Sequence, residues 1–146
     1  MNLTSGTQSG GPLPTLARAR FLLLFVEQSI QPVINMAQGS TTVVPEAALV
    51  AWQTLLSTVI NQLSTLPVPL INPPPRWAQL VNMAITLAMS ANQTLAGIPV
   101  ASLAIFPPRP GQATVSVQTL RQVQRNLRLA AQAVEAAERE LGGAGG

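Results

Sequence analysis

An all-α fold is predicted for these 146 residues by three features of their order. Apolar residues recur at spacings of three and four, prolines and glycines cut the chain into blocks of helical length, and no strand-like alternation is read anywhere. Apolar residues make up 47% of the chain, enough to bury one core in a chain of single-domain length. The expected architecture is a bundle of four to five helices over residues 15–141 with proline-rich extended connections. A flexible N-terminal arm, residues 1–14, precedes it and a Gly-rich tail, residues 142–146, follows.

Each element follows from its own residues. The arm holds Gly, Ser, Thr, Gln and two Pro without a hydrophobic period. A first helix is expected from Thr15 to Gln38, with Gly39 as a left-handed C-terminal cap and Pro32 kinking or splitting it near Gln31. In the second block Pro45 suits a first helical position and Glu46 complements the positive end of the helix dipole. Trp52, Leu55, Leu56, Val59, Ile60 and Leu63 give it one apolar stripe, and Pro67 stops it. The stretch LPVPLINPPP favours an extended polyproline connection. A third helix, read as buried, runs from Pro75 to Ala96 with Gly97 as its cap, and one short helical turn is expected near Val100 to Ile105, ahead of the FPPRPG corner. The fourth helix is capped by Thr114 or Ser116 and ended by Gly142. Its Leu120, Val123, Leu127, Ala130, Val134, Ala137 and Leu141 alternate three-four spacings, a heptad seam. Trp52 and Trp77 are read as core anchors.

The charge pattern is unusual. Charged residues are 9% of the chain, against about 25% in an ordinary soluble domain. A small protein normally stays dispersed through surface charge, so much of this surface is expected to be covered. All eight cations are Arg and all five anions are Glu. Residues 1–134 carry seven Arg against Glu27 and Glu46, a balance of +5, while residues 135–146 carry three Glu against Arg139, a balance of −2. Tails as rich in Gly and Ser as these become ordered only when something holds them, and neighbouring copies are the natural candidate.

Absences exclude whole classes of chemistry. Without Cys, His, Asp, Lys or Tyr, the usual general bases, Schiff-base amines and metal-ligand clusters are missing, and no GxxxxGK[ST] loop is present. The expectation is no enzyme, no cofactor and no metal. The greasiest run, FLLLFV at residues 21–26, falls short of the ~20 residues that span a bilayer. The arm is polar and uncharged, unlike a secretory leader.

What remains for function is arginine. On a wheel of about 100° per residue, Arg121, Arg125, Arg128 and Arg139 fall within about 60° of one another, nearly opposite the seam, with Gln132 in the same sector. The row is about 27 Å long, so it can meet several phosphates of a nucleic-acid backbone, and a guanidinium grips phosphate as a fork. Arg18 and Arg20, ahead of FLLLFV, extend the basic set; Arg76 and Arg109 follow proline runs and read as solvated corners. The bland alternative is that the row is an ordinary solvated face of an amphipathic helix.

In size, helical architecture and composition across the whole chain, rather than by any one motif, this sequence resembles the major coat proteins of filamentous archaeal viruses, tristromavirus-like ones in particular. The resemblance implies a virion protein, assembled in a host cytoplasm, whose small helical subunits wrap linear double-stranded DNA, often together with a paralogous coat subunit. It implies that Arg121, Arg125 and Arg128 line the DNA cavity and that apolar faces serve both the core and neighbouring copies. The expected function is therefore a coat subunit contacting phosphates without reading bases. The alternative is a self-assembling helical filament or scaffold subunit with no nucleic acid. A lipid-associated helical protein is a third reading, which the short apolar runs favour least.

Overall fold

A computed structural model describes residues 12–68, 71–100 and 111–145. The fold is all-α: among the described residues four helices, α1 (Leu13–Asn35), α2 (Glu46–Ser64), α3 (Arg76–Ala96) and α4 (Val117–Gly145), form a bundle. Two five-residue strands, β1 (Thr41–Pro45) and β2 (Gln112–Ser116), accompany them. The expected turn near Val100 to Ile105 and Arg109 fall on residues 101–110, outside the described residues.

α4 packs along both α1 and α3, and α2 packs along the same two helices from the opposite corner. The cross-section is thus a square in which α1 and α3 lie on one diagonal and α2 and α4 on the other. Arg20 meets Glu138 and Arg128 meets Glu27, so α1 and α4 run antiparallel. The seam faces the centre: Leu120, Val123, Leu127, Ala130, Val134 and Ala137 are all fully buried. They meet Leu16, Leu23, Val26 and Ile30 of α1, Leu56 and Val59 of α2, and the small residues Ala84, Ala88 and Ala91 of α3. Trp52 is buried and Trp77 packs against the core at partial exposure.

The strand pair is the main correction to the sequence reading. β1 and β2 pair antiparallel from Thr41 opposite Ser116 to Pro45 opposite Gln112, and Thr42, Val44, Ala113 and Val115 point inward. The ribbon sits where α1 ends and α2 and α4 begin. Gly111 lies close to its neighbours at the ribbon edge: a Cβ there would lie 2.6 Å from Val100 Cγ1 and 2.9 Å from Glu46 Oε1, so those side chains would have to shift. The Glu46 amide donates to the Gly111 carbonyl at 3.0 Å, and the Val117 amide to the Ser40 carbonyl at 2.8 Å.

Several boundaries move for identifiable reasons. α1 begins at Leu13, inside the expected arm, and runs unbroken through Pro32 to Asn35. Proline removes the donor to the Gln28 carbonyl, but both residues are exposed, so that carbonyl faces water. Gly39 has a positive φ of 78°, as expected, yet it serves the turn into β1 and not the helix cap, which is Met36. Pro45 and Pro75 stand one position earlier than expected, as extended residues just before α2 and α3. Ser116 caps α4, accepting from the Thr119 amide at 3.2 Å, while Thr114 belongs to β2. Gly142 does not end α4, which continues to Gly145. Gly142 does not take the left-handed conformation that a C-terminal cap requires. The proline-rich connection is not one extended run: it bends at Asn72–Pro73, whose peptide is cis. α3 is not buried all round but half-exposed, hiding mainly its alanine side.

Candidate nucleic-acid interface

The arginines of α4 are placed by the seam. Because the seam turns to the bundle centre, the opposite sector, with Arg121, Arg125, Arg128, Gln132 and Arg139, lies on the exposed face. The angular grouping read from the sequence therefore holds, but the electrostatics divide the row. Arg128 Nη2 donates to Glu27 Oε2 at 2.9 Å across the α1–α4 groove. Arg139 pairs with Glu135 one turn back at 3.1 Å, with the acid on the N-terminal side, the better order for such a pair. Arg20 Nε meets Glu138 Oε1 at 2.6 Å, with a second, longer contact from Nη2 to Oε2 at 3.4 Å. That hydrogen bond is the main reason the Arg20 guanidinium is held above its ordinary pKa; burial opposes it, and the charges of Glu138 and Glu135 add to it.

Arg18, Arg76, Arg121 and Arg125 have no ion-pair partner among the described residues. Arg18 lies on the outward side of α1 and Arg76 at the start of α3, so the structure brings neither to the α4 face. Arg121 and Arg125 stand one turn apart on the N-terminal third of α4, and no acidic residue occupies its first turn. Beside them a depression of roughly 510 Å³ is lined by Gly39, Ser40, Ser116, Val117, Gln118 and Arg121. A second, of roughly 330 Å³, is lined by uncharged polar residues that include Ser90, Thr94, Gln122 and Asn126. The cationic surface is thus concentrated at the ribbon end of α4, flanked by amides and hydroxyls that can donate to oxygen. Gln132 continues it, exposed, one turn beyond Arg128.

Sequence reasoning missed Gln124. It is buried, and its Nε2 donates to the Glu27 carbonyl at 3.0 Å and to Gln31 Oε1 at 3.2 Å. The signal was faint: Gln124 stands four residues after Leu120 and three before Leu127, at the border between the apolar sector and the arginine row. The Glu27 and Glu138 partners left no such trace, being 101 and 118 residues from the arginines they hold.

Among the described residues no group of three or more Asp, Glu, His or Cys is placed to hold a metal ion. None of their helices is long and apolar enough to cross a membrane. Comparison with protein-family models, with curated proteins and with solved structures finds no match for this chain.

Proposed function

We propose that this chain is a structural subunit of the coat-protein kind, which assembles with copies of itself and turns the N-terminal third of α4 toward the phosphate backbone of double-stranded DNA. The observation that carries this reading is the pair Arg121 and Arg125: cations on an outward helical face, without carboxylate partners among the described residues, amid uncharged donors. Forked guanidinium contacts neutralise phosphates and release counterions, a mechanism that needs no base to be read. The narrow set replaces the longer row. Arg20, Arg128 and Arg139 already face carboxylates, so recruiting them to phosphate requires breaking an ion pair first.

The test is a pair of single substitutions. Arg125→Ala lowers duplex affinity equally for unrelated sequences and reduces the slope of log affinity against log salt by about one unit. Arg128→Ala leaves that slope unchanged. An unaltered slope for Arg125→Ala removes the phosphate role.

The three ion pairs favour a second reading, a filament or scaffold subunit with no nucleic acid. Assembled particles separate the two: under the first reading their absorbance at 260 nm exceeds what two tryptophans supply, and the excess is protected from nuclease until disassembly.

A further inference from the structure

Both described phenylalanines are on the surface. Phe21 is 66% exposed and Phe25 50%, one turn apart on α1, on the side opposite the buried Leu16, Ala19, Leu23 and Ile30. Aromatic side chains carry a large gain on burial, and two in a row on an outward ridge are an unfilled contact. Across the diagonal of the bundle, α3 turns its own outward side the other way. Met83 and Met89, 54% and 43% exposed, flank Thr86 there, and no charged residue occurs on α3 after Arg76 at its first position.

Resting on the self-assembly reading above, we infer that the Phe21–Phe25 ridge of one copy seats on the Met83–Thr86–Met89 face of α3 in the next copy. Three observations carry the choice of occupant. The faces match in charge: the α3 surface is neutral after Arg76, and the ridge carries one cation, the exposed Arg18 one turn before Phe21, whose long side chain can reach solvent past the end of the contact. A charged partner would lose water on that surface without a counter-charge in return. The faces match in chemistry, since thioethers pack well against aromatic rings and interface cores are enriched in aromatics and Met while depleted in charge. And Thr86 Oγ1, at the centre of the face, already donates to the Asn82 carbonyl at 3.0 Å, so covering it strands no hydroxyl donor, while the exposed amides of Asn82 and Gln93 beside it need partners or water at the contact.

The geometry also fixes the kind of assembly. The ridge and its receiving face are different surfaces on opposite corners of the square, so the contact is head-to-tail and leaves both a free ridge and a free face after each addition. A chain of copies follows, or a ring where the rotation between copies closes. α4 occupies a third corner and keeps Arg121 and Arg125 clear of the contact.

The experiment uses the full chain free of nucleic acid, with sedimentation velocity as readout and circular dichroism to verify helix content. Wild-type protein sediments as a concentration-dependent series of oligomers. Phe21→Glu and Met83→Glu, both at exposed positions, each sediment as a 15.3 kDa monomer. Mixed together they form a species of twice that mass and nothing larger, because the first retains a sound α3 face and the second a sound ridge. Wild-type protein that stays monomeric, either variant assembling like wild type, or a mixture that stays monomeric would each overturn the inference. Phe25→Glu and Met89→Glu repeat the pair should one of the first variants lose helix content. Arg121→Ala combined with Arg125→Ala self-associates normally, so loss of duplex binding and loss of the ridge contact are read separately.

Discussion

Gln124 shows how one side chain stabilises a turn of another helix. Pro32 deprives α1 of a hydrogen bond near its end, and the Gln124 amide holds the adjoining turn to α4 through the Glu27 carbonyl and Gln31. Gln124→Ala removes both bonds and leaves a buried gap, so it should cost about 1–3 kcal/mol, read as a lower urea midpoint at unchanged slope. An unmoved midpoint would mean that α1 tolerates Pro32 unaided. Arg20 is a contrasting case. Its pKa is raised in the folded chain, so its pairing with the Glu138 carboxylate contributes fully below the ordinary arginine range for as long as Glu138 stays ionised, and is lost as pH rises through the raised value. With Arg20 more than a third exposed, that contribution stays within the small range of surface pairs.

Between elements, α3 and α4 make the most extensive contact, and both bring small residues to it: Ala84, Ala88 and Ala91 from α3, Ala130, Ala133 and Ala137 from α4, all buried. Alanine lets the two backbones approach closely and leaves no slack for a larger group. Ala88→Leu should therefore destabilise by about 1–3 kcal/mol through overpacking, measured by thermal or urea unfolding, although leucine is as good a helix former. Elements of this kind were legible beforehand. The α4 seam could be read because its spacing runs for six turns, and Ser116 because a capping hydroxyl acts within three residues. The ribbon could not. Each strand turns only two side chains inward, too few to register as alternation, and its partner lies beyond two intervening helices. The same distance in sequence hid the carboxylates that engage Arg20 and Arg128, so the wheel gave the direction of the α4 arginines but not the ion pairs.

For the whole molecule, charge is unevenly shared. Arg18, Arg20 and Glu27 on α1 and seven residues on α4 account for ten of the thirteen charged side chains, while α2 and α3 each carry one, at their first residue. Two classes of association with opposite responses to salt follow. Contact between copies through the neutral α3 face should change little from about 50 to about 500 mM salt, whereas duplex affinity should fall steeply over the same range. Sedimentation and filter binding at the two concentrations would check this, and salt-sensitive self-association would place the copy contact on α1 and α4 charges instead.

The pairing of β1 with β2 also bears on how the molecule is made. Joining Pro45 to Gln112 closes a loop that contains the whole of α2 and α3, and the entropy lost in closing a loop rises with its length. The ribbon amides therefore acquire protection after those of the seam as the chain matures, and surrender it first when the bundle breathes. Pulsed deuterium labelling would reveal a molecule that zips from its middle and is laced shut at one end.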